Sequence, residues 1–158
     1  MDHPAEELYS LLVPLYQARL IVPRSCIAEV VRFTPPQGRG SKAPGWFRGF
    51  VDWNNLRVPV VSIEELCKMS SIEPGGRTRI AIFNGLSDVL GGRVFGVLTE
   101  GFPELVRVNR DVMKPHDEQA WPDDAPIICQ IRMINEYPLI PDLEVLEALV
   151  QEQVAAAA

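Results

Sequence analysis

Apolar positions along the chain fall in short runs, broken by proline, glycine or asparagine at nearly every boundary. Residues 8–15, 18–22 and 26–33 are rich in Leu, Val and Ile and read as three strands. Residues 34–45 carry Pro35-Pro36, Gly38, Gly40 and Pro44 and read as a loop, with Pro44 placed to open one helical turn bearing Trp46 and Phe47. Residues 49–53 and 56–61 flank Asn54-Asn55, a pair that tolerates positive φ, which predicts a tight hairpin. Residues 63–69 read as a short helix, with Ser62 as N-cap and Glu65 three residues on, a capping-box spacing. Pro74-Gly75-Gly76 is the best internal boundary. Beyond it, 78–83 and 93–98 read as strands around a Gly91-Gly92 turn, followed by strands at 105–108, 127–134 and 137–140, with a polar, acidic loop at 114–126. Leu143, Leu146, Leu149, Val150 and Val154 recur at helical spacing after Asp142, which predicts a capped amphipathic helix with a fraying alanine tail.

The two halves echo each other. At an offset of 80 residues Val51 meets Ile131, Asn55 meets Asn135, Val60 meets Ile140, Ser62 meets Asp142 and Leu66 meets Leu146. Both stretches read strand, Asn turn, strand, N-cap, helix. At an offset of 75, residues 28–32 resemble 103–107. The pattern is that of two copies of one small β-barrel.

With 158 residues, 47% apolar and 23% charged, the composition is that of a single globular domain, and it excludes a disordered or collagenous chain. A net charge of −6 disfavours nucleic acid and anionic membrane surfaces as partners. No apolar run approaches the roughly 20 residues of a membrane span, and the start Met1-Asp2-His3-Pro4 is acidic, unlike a secretory leader. The expected location is cytoplasmic. Cys26, Cys67 and Cys129 are widely spaced among apolar neighbours, which suits buried, reduced thiols.

Little chemistry is on offer. His3 lies near the terminus, and His116-Asp117-Glu118 reads as a solvated acidic loop. There is no ligand spacing for zinc, no phosphate loop and no carboxylate pair placed by its spacing in an apolar pocket. The chain reads as a binding protein that needs no cofactor or metal. The alternative is a small β-barrel of another kind, with small-molecule-binding or hydrolytic activity using Cys67 or His116.

Residues 43–66, Ala-Pro-Gly-Trp-Phe-Arg-Gly-Phe-Val-Asp-Trp-Asn-Asn-Leu-Arg-Val-Pro-Val-Val-Ser-Ile-Glu-Glu-Leu, resemble the central signature of the CheW-like domain. The likeness extends to Val22-Pro23, Ile27 to Val31, Phe95 to Phe102 and residues 127–146, so that 8–150 are covered. It implies a mainly β fold of two side-by-side five-stranded SH3/OB-like barrels with short helices and a C-terminal helix. It places one barrel at about 15–70 and the other at about 78–140, with elements exchanged between them, and a tail at 151–158. It implies a non-enzymatic adaptor that joins the cytoplasmic tip of a chemoreceptor to a CheA-type histidine kinase.

The resemblance also assigns a partner surface. Ile27 and Phe102 occupy matching places in the two copies and fall on the groove between the barrels; plain core packing is the competing reading. Val30 lies on the same strand as Ile27, and Glu29 and Arg107 fall on the rim. Trp53, beside a hairpin tip, reads as an exposed aromatic anchor. Family members commonly carry Asn-Leu-Arg-Gly at this hairpin; here Asn54 stands for the Arg and Asn55 for the Gly, and Arg57 is placed to supply the missing charge from across the turn. Ser62, Thr99-Glu100 and Cys129 depart from the family pattern as well. These departures point to a specialised array, such as one controlling type IV pili.

Overall fold

Short apolar runs bounded by turn formers give short strands. In the computed structural model these are β1 (Leu8–Pro14), β2 (Arg19–Pro23), β3 (Ile27–Arg32), β4 (Phe47–Trp53), β5 (Leu56–Val61), β6 (Arg79–Asn84), β7 (Val94–Thr99), β8 (Glu104–Val108), β9 (Lys114–Pro115), β10 (Ile127–Arg132) and β11 (Leu139–Pro141). Helix α1 (Ile63–Leu66) follows β5, and α2 (Leu143–Ala157) follows β11. The structure describes residues 8–86, 93–109, 114–115, 122, 124–133 and 135–157; the expected Gly91-Gly92 turn, His3 and His116 lie outside them.

The strands form two sheets, ordered β3-β6-β7-β5-β4 and β8-β1-β2-β11-β10-β9. The first five strands of the second sheet repeat the first sheet place for place. Each has a single parallel pair at the same position, Val60↔Gly96 between β5 and β7 and Leu139↔Leu20 between β11 and β2, with the other pairs antiparallel. Contiguity in sequence does not define the units. β6 and β7 (79–99) pair with β3 to β5, while the N-terminal hairpin β1–β2 supplies the second copy with the strands that β6 and β7 supply to the first.

Each sheet curls back on itself. Beyond β3, Gln37 bridges to Phe50 of β4, the opposite edge, through N–H···O bonds of 2.9 and 2.7 Å. Beyond β8, β9 does the same to β10, Pro115 opposite Ile131. The interiors so enclosed match residue for residue: Val31, Phe33, Val51, Trp53, Val60 and Ile82 in one, Val106, Val108, Ile131, Met133, Ile140 and Leu12 in the other. A third and larger core lies between the barrels, where Val13, Leu20 and Val22 meet Phe47, Phe83, Phe95, Ile63, Leu146 and Val150. The two-barrel, mainly β architecture expected from the sequence is present.

Local chemistry explains the turns and caps. Asn54 and Asn55 take φ of 50° and 62°, as a two-residue hairpin of this twist requires. Ser62 Oγ accepts the Glu65 N–H at 3.3 Å, so the cap is formed. The reciprocal half of the capping box is missing, because the Ser62 N–H donates instead to the Trp46 carbonyl at 2.8 Å. Glu65 then pairs with Arg48 at 2.6 Å. α1 stops at Leu66, earlier than expected, in a Schellman turn: Lys68 is left-handed (φ 57°), and Met69 and Lys68 donate to the carbonyls of Glu64 and Glu65.

Two expectations are corrected. Pro44 opens a turn closed by the Phe47 N–H (3.1 Å), but no helix, because Phe47 already belongs to β4. Residues 155–157, expected to fray beyond Val154, continue α2, in keeping with the high helix propensity of alanine.

Candidate partner-binding surface

β3 and β8 are the equivalent outermost strands of their sheets, and the expected site residues divide between them and the β4–β5 hairpin. Ile27 opens β3 opposite Phe83 and is half-buried against the core between the barrels. Val30, on the same strand, is half-buried against the same core. Glu29 lies between them and is exposed.

Trp53 differs from expectation. Its ring is half-buried against the first barrel's interior, and its indole N–H donates to Glu29 Oε2 at 2.5 Å. β3 and β4 are opposite edges of the sheet, so this bond is a strut of the closed barrel, and Trp53 is not the free aromatic anchor expected beside the tip. Trp53→Phe, which keeps an aromatic ring but removes the N–H donor, is expected to cost about 1 kcal/mol, roughly 2–4 °C of melting temperature. Glu29→Gln, which keeps an acceptor, is expected to cost less; thermal melts of the two variants check the order.

Asn54 is exposed at the hairpin tip, in the left-handed conformation that the turn needs. Arg57 is exposed but not free. Its guanidinium stacks 3.6 Å over the Phe50 ring, and a β-carbon at Gly38 would stand 2.5 Å from its Nη2. It walls a small cleft of about 630 Å³ with Pro35, Gln37 and Asp52.

On the second barrel's side Phe102 is 64% exposed and falls in the link between β7 and β8. The Arg79 guanidinium of β6 lies 5.1 Å from its ring centre. Core packing, the competing reading for Phe102, is thereby excluded. Arg107 stands opposite Tyr9 across β8 and β1, its guanidinium 5.5 Å from that ring.

Two residues of this surface were not foreseen. Leu105 is 50% and Tyr9 46% exposed. Leu105 and Arg107 face outward from β8, whereas Val106 and Val108 face the barrel interior. Each face of β8 carries one charged residue, Glu104 on the inner and Arg107 on the outer, so alternation alone does not tell them apart. Leu105 on β8, Tyr9 on the adjacent β1 and Phe102 in the link before β8 are thus exposed apolar side chains on this side of the second barrel, and exposed apolar surface of this kind marks interaction sites.

Cys26 and Cys67 do not offer a nucleophile here. Cys26 and Cys67 are buried, and burial raises both pKa values, that of Cys67 to about 11. Thiols held protonated near neutral pH react poorly. Cys129, expected to be buried, is half-buried at the edge of the second interior. Among the described residues no group of three His, Cys, Asp or Glu could hold a metal ion, and no helix is long and apolar enough to cross a membrane.

Residues 10–147 match the family model of the CheW-like domain. Among solved structures, the crystal structure of the scaffolding protein TtCheW from Thermoanaerobacter tengcongensis superposes with a TM-score of 0.72, covering 90% of this chain and 89% of that one, at 15% sequence identity. No curated protein matches the chain. The family match spans both barrels and α1, and removes the alternative of an unrelated barrel: the chain belongs to the CheW-like domain family.

Proposed function

We propose that the protein is a non-catalytic cytoplasmic adaptor that couples chemoreceptors to a CheA-type histidine kinase in a signalling array. The observation that carries this reading is the exposure of three apolar side chains at or beside the outermost strand of the second barrel: Leu105 on β8, Tyr9 on the adjacent β1 and Phe102 in the link before β8. A folded monomer gains nothing from leaving a Phe, a Leu and a Tyr in water, and a partner helix that covers them gains apolar anchors. Ile27 and Val30 form the opposite wall of the groove, with Glu29 and Arg107 at its rim. Asn54 and Arg57 meet the partner from the first barrel's hairpin. Asn54 in place of an Arg at that tip supports a specialised array, and we assign its output to type IV pili.

Reconstitution tests this. A receptor signalling fragment, the array's histidine kinase and this chain are mixed and sedimented with receptor assemblies. The kinase is expected to sediment with receptor only when the chain is present. Kinase sedimenting equally without it would sink the adaptor reading. Loss of the protein is expected to impair twitching and leave flagellar swimming intact; the reverse pattern would remove the pilus assignment alone.

A further inference from the structure

Two glutamates are buried where the barrels meet, Glu64 on α1 and Glu147 on α2, at 5% and 0% exposure. α1 grows out of β5 of the first barrel, and α2 out of β11 of the second. Each helix then delivers its carboxylate to the other barrel. Glu64 Oε2 accepts the backbone N–H of Tyr16, in the turn between β1 and β2 of the second barrel, at 3.2 Å. Glu147 Oε1 accepts the N–H of Leu86, just beyond β6 of the first barrel, at 2.6 Å.

Tyr16 and Leu86 are equivalent in the repeat, each four residues after the matched pair Leu12 and Ile82. The glutamates are not. At the 80-residue offset, Glu64 corresponds to Glu144, which is exposed, and Glu147 corresponds to Cys67. The same contact is made twice from different helix positions, so its reciprocity is not a by-product of the repeat. Buried carboxylates destabilise a fold unless they are bonded, and an apolar side chain of similar size would avoid that cost. What a carboxylate adds is a strong acceptor for a turn N–H that has no strand partner. Gly85 is fitted to the second contact: a β-carbon there would stand 3.0 Å from Glu147 Oε1 and 2.4 Å from the Arg93 carbonyl.

We propose that Glu64 and Glu147 are positioning residues, reciprocal latches that fix the angle between the barrels and with it the width of the groove between Ile27 and Phe102. The statement about the angle stands on the geometry alone, while the consequence for the groove rests on the adaptor reading. Glu64 provides a proton-sensitive readout. Burial raises its pKa, and Glu100 and Glu65 push the same way, while the Tyr16 N–H and Arg48 oppose. A carboxyl whose folded pKa is raised weakens the fold fully above that pKa and progressively less as pH falls through it.

The experiment uses full-length ¹⁵N-labelled protein. In the wild type the Tyr16 amide proton is expected to shift with pH, with a midpoint above the ordinary carboxylate range. Glu64→Gln keeps an acceptor oxygen and is expected to preserve slow Tyr16 exchange while abolishing that titration. Its melting temperature should lose ground to the wild type as pH falls from 7. Glu64→Ala should speed Tyr16 amide exchange roughly tenfold. Residual dipolar couplings should then fit each barrel separately but no longer both in their wild-type relative orientation, and Glu147→Ala should do the same from the Leu86 side. Unchanged relative orientation in Glu64→Ala would overturn the proposal, as would a Tyr16 amide that does not titrate in the wild type, which needs no variant to fold. A changed orientation with unchanged receptor affinity would overturn the link to the groove. Failure of the wild type to bind receptor or kinase would instead strike the adaptor reading, and the orientation measurement is independent of it.

Discussion

Phe102→Ala is expected to melt within a few degrees of the wild type and to bind its receptor about thirtyfold more weakly. The ring is 64% exposed and meets Arg79 at 5.1 Å, a cation–π contact worth about 0.5–1 kcal/mol at an exposed site. For a domain of this size that is roughly 1–4 °C. An aromatic anchor in a helix-binding groove costs about 2 kcal/mol when truncated, which corresponds to the thirtyfold loss. Phe95→Ala is the internal contrast. That ring is fully buried and stacks on Phe83 at 5.3 Å in the core between the barrels. Its removal is expected to cost about 3–5 kcal/mol, roughly 6–20 °C. Ile27→Ala should show both effects in reduced form, because the side chain is half-buried against the same core. Melting curves and receptor titrations of the three variants separate the cases. A Phe102→Ala protein that binds like wild type, or that melts ten degrees lower, would remove Phe102 from the groove.

The repeat was legible because it is carried by the residues with the strongest local rules. Asn55 and Asn135, and the caps Ser62 and Asp142, stand at one offset, as do the interior pairs Val51/Ile131 and Val60/Ile140. The assignment of strands to barrels was not fully legible. Pro74-Gly75-Gly76 breaks the chain where a domain boundary would, yet β6 and β7 beyond it pair with β3 and β5. Their counterparts β1 and β2 stand at the N-terminus, before the copy they complete. Their alignment at an offset of 70 rests on apolar pairs such as Ile82 and Leu12, which any two strands share. Pairing between distant strands is set by which face each buries, and that is decided by the assembled core.

The same limit governs the candidate site. Phe102 was found through its place in the repeat, and its exposure agrees with a surface role. The indole bond of Trp53 is not legible in sequence, because the fate of an indole N–H depends on its acceptor, and Glu29 lies 24 residues away on a strand that meets β4 only when the barrel closes. The exposure of Leu105 and Tyr9 is not legible because each strand mixes apolar and polar residues on both faces: Glu104 points to the same side as Val106 and Val108, and Ser10 is buried while Tyr9 is not. The buried glutamates were invisible for a related reason: in a chain with 21 acidic residues, nothing local marks Glu64 or Glu147 as the ones that fold inward.

Gly49→Ala is expected to be among the most disruptive single-methyl changes in the chain. Gly49 sits at the irregularity in β4, with φ +112°. A β-carbon there would stand 2.7 Å from the Gln37 carbonyl oxygen and 3.0 Å from its carbon, both backbone atoms. Gln37 is the residue whose two hydrogen bonds to Phe50 close the first barrel. The substitution therefore combines a disfavoured backbone conformation, worth about 1–3 kcal/mol, with an overlap that is relieved only by opening the closure. A total of about 3 kcal/mol or more, on the order of ten degrees, is expected. Gly40→Ala isolates the first contribution: its φ is +84°, but nothing lies within 4 Å of the added methyl, so only the backbone cost of about 1 kcal/mol remains. Opening the closure also withdraws the Phe50 ring from beneath Arg57 and loosens the Trp53–Glu29 strut. Gly49→Ala should accordingly red-shift the tryptophan emission below its melting point, and Gly40→Ala should not. Equal melting shifts for the two variants would show that the first barrel holds without the Gln37 bridge.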